Sequence, residues 1–363
     1  RRFSNRLTSA ARNLSAVSSP TGTATGSFNG LHRESNLLAI INHRMEEDMN
    51  TRNLHSMLMC LCLLGILSFH SCASEYIVPV SGRQETMLDG DWKFVASDDL
   101  TGCEIVDYDD RSWRTVQVPH SFQSFEFQDD YSHAWYRKHL TIPESDAGKR
   151  IYLKFDGAGI RADVYLNGIH LGHHVGAYTA FIFDITDAVS YGKANILAVR
   201  CDSKTPDRIR GNLSRPENKP GYFWNVVAGL HRAVHVLKTD PLHIDPTDHA
   251  TSGIYVTPSN VTSKQADISI RTMLRNSSDK DATFVIEHRL ADSDNRIVQT
   301  LEGTQSLPAG ASAENTLAGK VPSPSLWSPD NPVLYRVYTE IRVAGVLKDL
   351  IKTKIGFRDF HMT

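Results

Sequence analysis

An excess of charge of either sign is missing from this chain. Its 39 basic and 41 acidic residues leave a formal net charge of -2 and a pI near 6.8. No global electrostatic attraction to nucleic acid or to a strongly acidic surface follows from such a balance. Cysteine is also scarce, at five residues in 363, and no CxxC pair or zinc-like Cys/His spacing occurs. Cys60 and Cys62 fall inside an apolar run and Cys72 just after it, so only Cys103 and Cys201 remain for a folded core. These two read as free core thiols rather than as a disulfide framework. There is no phosphate-binding glycine loop and no internal repeat, and helical periodicity is scarce beyond Val80. No cofactor is implied. Histidine is plentiful, with 16 residues, and His170, His173 and His174 lie close together. Adjacent residues of a strand face opposite ways, so His173 and His174 are not expected to share a metal.

The front of the chain differs from the rest. Residues 1–48 carry Ser, Arg, Asn, Thr and Gly without sustained periodicity and read as disordered or as a spurious upstream extension. Leu58–Phe69 is an apolar run too short to span a bilayer comfortably, preceded by Arg52 and followed by Ser71-Cys72. Residues 49–72, starting at Met49, are expected to be a signal peptide with a lipobox-like end and Cys72 as the lipidated residue. Phe69 and His70 depart from the small or aliphatic residues usual there, while Gly65 argues against the alternative of a buried core helix. The chain is therefore expected to be exported, as a periplasmic or outer-membrane-anchored lipoprotein of a bacterium.

From Val80 onward, short extended runs recur between Gly, Pro, Asn and Asp clusters, the signature of an all-β chain. Ile151, Leu153 and Phe155 fall on one face of a strand, and Ala162, Val164 and Leu166 repeat the pattern up to Asn167-Gly168. That dipeptide predicts a type I′ hairpin, because both central positions of the turn need positive φ. A plain two-residue register would set Leu166 opposite Ile169 and Val164 opposite Leu171. Further strands are expected at Phe181–Ile185, Leu197–Cys201 and Ala233–Leu237. Ser203 to Gly221 is a long Pro-, Asn-, Arg- and Lys-rich loop. A second β region begins near His243, with alternation at Ile268–Leu274, Phe284–Ile286 and Tyr335–Val343. Trp92, Phe94, Trp113 and Trp135 are expected in the core, Arg137 and Lys138 on a solvated or ion-paired face, and Asp184 as a turn cap.

Several motifs follow one another in order. They are Leu88-Asp89-Gly90-Asp91-Trp92-Lys93-Phe94, Val116-Gln117-Val118-Pro119-His120, Trp135-Tyr136-Arg137-Lys138, Val164-Tyr165-Leu166-Asn167-Gly168 and Gly176-Ala177-Tyr178-Thr179-Ala180-Phe181. Gly229-Leu230-His231-Arg232 closes the first region, and Leu326-Trp327-Ser328-Pro329 and Ile355-Gly356-Phe357-Arg358 end the second. Together they resemble glycoside hydrolase family 2, the family of β-galactosidases, β-glucuronidases and β-mannosidases. The resemblance implies a galactose-binding-like jelly-roll β-sandwich over residues 80–240, an immunoglobulin-like β-sandwich over 241–357, and the start of a TIM barrel at 358–363.

The resemblance also implies a retaining hydrolase acting on a carbohydrate substrate, with two Glu carboxyls about 5–5.5 Å apart, one of them following an Asn. No Asn-Glu pair follows the second region, and Glu217-Asn218 stands in reverse order within the first. No catalytic residue is assigned. A loop of the first domain can reach the sugar pocket in such enzymes, and Trp224 and Asn225 are the substrate-binding candidates here. The expected partners are the sugar and the family's barrel, with no nucleic acid, a membrane only through the lipid at Cys72, and association through exposed apolar faces. The alternatives are a stand-alone carbohydrate-binding module and a cell-surface β-sandwich interaction protein.

Overall fold

The alternating runs become strands of two antiparallel sandwiches. The computed structural model describes residues 75–122, 133–202 and 228–360; Cys72, the expected signal segment, Trp224 and Asn225 lie outside the described residues.

One sheet of the first sandwich has the order β1 (Gln84–Met87), β10 (Val234–Thr239), β5 (Arg150–Phe155), β8 (Phe181–Asp184). The other has the order β3 (Arg114–Val116), β2 (Trp92–Ala96), β4 (His133–Thr141), β9 (Ala194–Asp202), β6 (Arg161–Leu166), β7 (Ile169–Val175). Trp92, Phe94, Tyr136, Leu153, Phe155 and Val164 are buried together in its core. Their alternation with outward residues is what turns these segments into strands that cover one another.

The second sandwich follows β11 (Leu242–Ile244) and β12 (Ile254–Ser259), which share one edge of β13 (Gln265–Asn276) while β16 (Ser312–Pro322) pairs with the other. Its facing sheet runs β15 (Ile297–Leu307), β14 (Ala282–Ala291), β17 (Tyr335–Val343), β18 (Val346–Ile355). Ile268, Ile270, Phe284, Ile286, Val337 and Ile341 fill the space between. Where the edge strands β15 and β16 meet, a Cβ on Gly303 would stand 3.0 Å from Leu317 Cδ2, so each leucine at this seam packs against a glycine.

The Asn167-Gly168 turn forms, with φ of 52° and 80°, and Leu166 pairs with Ile169. The register then departs from the plain hairpin. Val164 lies opposite Gly172 rather than Leu171, because a bulge inserts one residue into β7. Gly172 has φ 147°, and a Cβ there would come 2.8 Å from Phe183 Cε1, so the bulge needs the missing side chain. The shift sets His173 opposite Asp163 and His174 opposite Ala162. His174 therefore stacks on Phe181 at 4.3 Å between centroids, while His170 Nε2 lies 3.5 Å from Asp163. Among the described residues no group of three His, Cys, Asp or Glu is arranged to hold a metal.

Arg137 is ion-paired and wholly buried rather than solvated. Its Nε donates to Asp110 at 2.8 Å, and its Nη atoms donate to the carbonyls of Cys103, Ile105, Val106 and Tyr108. The guanidinium's planar fork of donors satisfies a whole loop at once. It pins the segment carrying Cys103 and Trp113 over Trp135 and Ala198, a second small core on the outer face of the six-stranded sheet. Cys103 and Cys201 are both buried and free, in separate clusters. Asp184 accepts from the Thr186 amide at 3.1 Å, which makes it a turn cap, and also from Arg150.

Candidate functional site

Four segments meet at one end of the first sandwich: residues 118–122, 156–160, 176–181 and 228–232. The His120 amide donates to the Leu230 carbonyl at 2.7 Å, and Gly159 and Gly229 exchange two backbone bonds at 3.0 and 3.2 Å. Glycine makes the approach possible. A Cβ on Gly157 would stand 2.9 Å from both the Ala177 carbonyl and Arg232 Cδ, and Gly229 has φ 108° against the Tyr136 hydroxyl.

The resulting rim carries Tyr178, 55% exposed, with its ring edge-on to His231 at 5.8 Å. Arg232 donates to the Tyr178 and Asp156 carbonyls at 3.4 and 3.5 Å, so its side chain braces the rim. Burial pushes the His231 imidazole below its ordinary pKa, although backbone bonds oppose the shift. It is a neutral ring at neutral pH. His174 is likewise lowered by burial, and it bonds the Thr179 hydroxyl at 2.9 Å. An exposed phenol beside a neutral imidazole offers an apolar ring face with polar tips, the chemistry that suits one face of a sugar. The carboxylate at this end, Asp156, is engaged by His235 at 3.1 Å and Lys154 at 3.4 Å.

Sequence reasoning placed the site in Trp224 and Asn225, which lie outside the described residues, and passed over Tyr178 and His231. The signal was present, since both stand inside the motifs Gly176–Phe181 and Gly229–Arg232.

Two glutamates do come together elsewhere. Glu287 and Glu340 are register partners on β14 and β17, 9% and 0% exposed. Their oxygens are engaged: Arg289 donates to Glu287 at 2.6 Å, Arg342 donates twice to Glu340 at 2.8 and 2.5 Å, and the Tyr76 hydroxyl donates to Glu340 as well. A glycosidic acid/base pair needs oxygens turned toward a substrate cleft, and these are turned into a sheet-face ion cluster.

The fold defines an all-β protein of two successive sandwiches, jelly-roll then immunoglobulin-like. The chain belongs to glycoside hydrolase family 2. The family's sugar binding domain matches residues 95–240, and a second sequence model of glycosyl hydrolases family 2 matches residues 249–358. A β-glucuronidase of Formosa agariphila is 29% identical over 301 residues, covering 78% of this chain and 30% of that protein. A β-galactosidase of Bacteroides ovatus is 29% identical over 80% of this chain and 33% of its own length. The crystal structure of a Bacteroides uniformis β-glucuronidase superposes with a TM-score of 0.69 at 30% identity, over 76% of this chain and 32% of that one. The chain thus spans about a third of the length of the relatives it matches.

Proposed function

We propose that this chain is the supporting, non-catalytic part of an exported family 2 glycoside hydrolase that hydrolyses O-glycosidic bonds of β-glycosides. The observation that carries the reading is the order of the two sandwiches, a sugar-binding domain followed by the second family domain, in relatives named as β-glucuronidases and β-galactosidases. The described glutamates that pair, Glu287 and Glu340, are tied up in ion pairs, which supports a catalytic centre in a further barrel domain. In that protein the rim around Tyr178 and His231, with Trp224 and Asn225 nearby in sequence, would border the sugar site. Cys72 would carry the lipid that holds the enzyme at a bacterial membrane.

The test is turnover. The purified chain should hydrolyse neither 4-nitrophenyl β-D-glucuronide nor 4-nitrophenyl β-D-galactoside, and a coding sequence continued beyond Thr363 should restore hydrolysis with retention of configuration. For Cys72, labelling with a fatty acid and its loss in Cys72→Ala is the expected pair of outcomes; unlabelled protein in the soluble fraction would contradict the anchor.

A second reading is a carbohydrate-binding module, and the exposed Tyr178 favours it. Calorimetric titration with galactosides, glucuronides, mannosides and plant-wall oligosaccharides decides it. Heat lost in Tyr178→Ala supports the module, and no heat with any of them contradicts it.

A further inference from the structure

The segment ahead of β1 belongs to the second sandwich as much as to the first. The Tyr76 amide donates to the Asn295 carbonyl at 2.8 Å, and the Asn295 side-chain amide donates back to the Tyr76 carbonyl at 2.6 Å. The Tyr76 ring lies 4.9 Å from that of Tyr338, with Arg289 over its face at 5.3 Å, and its hydroxyl donates to the buried Glu340. Burial and the Glu340 carboxylate raise the pKa of this phenol, so it stays a donor. Seven residues later, Arg83 reaches back from the foot of β1. Its Nε and Nη2 each lie 2.7 Å from an Asp349 oxygen of β18, and Nη2 also donates to the Ile244 carbonyl at 2.5 Å. Asp349 accepts the Ile244 and Leu350 amides too, at 2.8 and 2.9 Å, so the carboxylate is fully used.

Between these anchors the chain gains little from apolar burial. Ile77 is 87% exposed and Val80 is 96% exposed, so the hydrophobic effect does not hold this stretch down. What holds it is polar and local to its ends. Charge-assisted bonds of this kind, partly shielded from water, are the strong ones.

The path also matters. The chain touches the second sandwich at Tyr76, crosses to build the first from β1 to β10, and returns through Pro241 to β11. The chain therefore crosses between the two sandwiches twice, once through Pro241 and once through the segment fastened at Tyr76 and Arg83, and Tyr152 bonds His243 across the same junction.

We propose that residues 75–83 are a strap that clamps the two sandwiches in one orientation, closed by Tyr76 on Glu340 and by Arg83 on Asp349. Every bond that fixes it is made by a side chain at one of its ends or by the Tyr76 backbone. Opening it leaves both sandwich cores intact and leaves the junction at Asp240-Pro241 to the bonds of Tyr152 with His243 and of Lys348 with Asp240.

Hydrogen exchange on the full chain, read at the Tyr76 amide through overlapping peptides that begin well ahead of it, tests the clamp. The wild-type amide should be protected, and Tyr76→Phe should speed its exchange about tenfold, the effect of one net hydrogen bond to a charged group. Peptides from β14 and β17 should keep their wild-type rates, because Arg342 still donates twice to Glu340 and Arg289 Nε lies 3.6 Å from its other oxygen. Ile77→Ser with Val80→Ser should leave strap exchange unchanged. An unprotected wild-type amide, a Tyr76→Phe chain that exchanges like wild type, or a strap loosened by the two serines would each overturn the proposal. A second variant guards against a folding failure. Arg83→Gln with Asp349→Asn leaves no unpaired charge and should split one calorimetric unfolding transition into two; a single unshifted transition would overturn the Arg83 anchor.

Discussion

Tyr152 of β5 and His243 of β11 meet across the junction of the two sandwiches, with the phenol oxygen 2.8 Å from Nε2. The other ring nitrogen, Nδ1, lies 3.1 Å from the Pro241 carbonyl, so it carries the proton and Nε2 accepts from Tyr152. Both residues are buried, and burial lowers the pKa of His243. Tyr152→Phe removes one bond and leaves a buried acceptor unpaired, which costs about 1–3 kcal/mol. Urea unfolding of the variant should show that loss, and an unchanged midpoint would mean that the junction does not depend on the pair.

Acid should destabilise the fold through buried histidine. His288 is 1% exposed, bonds Thr339 at 2.9 Å, and burial lowers its pKa to about 4. The folded state then binds fewer protons than the unfolded one, whose imidazole titrates near 6.5. Its contribution is fully present above about pH 6.5 and is lost as pH falls toward about 4, on the order of 3 kcal/mol over the window. His243 is shifted the same way and adds to the loss. Tm measured between pH 7 and pH 5 should fall, and His288→Leu should flatten that fall.

Arg137 should behave as a spool for the segment above it. Arg137→Ala strips Asp110 of its buried guanidinium and frees the carbonyls of Cys103, Ile105, Val106 and Tyr108. Breaking a buried pair on one side costs about 3–5 kcal/mol. Because Cys103 belongs to that segment and Cys201 to the main core, thiol labelling mapped by mass should rise at Cys103 ahead of Cys201. Equal labelling of both would indicate global unfolding instead.

The bulge in β7 makes Gly172 irreplaceable. Gly172→Ala meets Phe183 and carries a side chain at φ 147°, a strain of about 1–3 kcal/mol. The fold should survive, but His174 should lose its stacking on Phe181, which a shift of the His174 ring resonances would report.

The hairpin at Asn167-Gly168 was legible because a turn that demands positive φ has few sequence solutions, and the core of tryptophans was legible because nothing else can be done with Trp92 or Trp135. The bulge was not, since an inserted residue leaves the alternation of β7 looking intact on paper. Strands β15 and β16 also escaped, because Thr, Ser, Gln, Glu, Asn and Gly interrupt them and the apolar inward residues are few: Ile297, Leu301 and Leu307 on β15, and Ala313, Leu317 and Val321 on β16. The burial of Arg137 cannot be read from a charge in a strand; it depends on carbonyls some 30 residues away. Tyr76 and Glu340 are separated by 264 residues, and nothing in Ile77-Val78-Pro79-Val80 marks it as an exposed crossing. Of the candidate site, the segments of the rim were in the family motifs, while the pairing of Tyr178 with His231 arises only when Gly157 and Gly229 let those segments touch.

On the proposed function, the two sandwiches support catalysis without performing it. The most direct measurement is steady-state hydrolysis of 4-nitrophenyl β-D-glucuronide and β-D-galactoside by the purified chain, alongside Glu287→Gln and Glu340→Gln. No release of nitrophenol above the uncatalysed rate is expected from any of the three. Turnover by the wild-type chain that disappears in either glutamine variant would contradict the account, because it would place the acid/base chemistry in the ion cluster of β14 and β17.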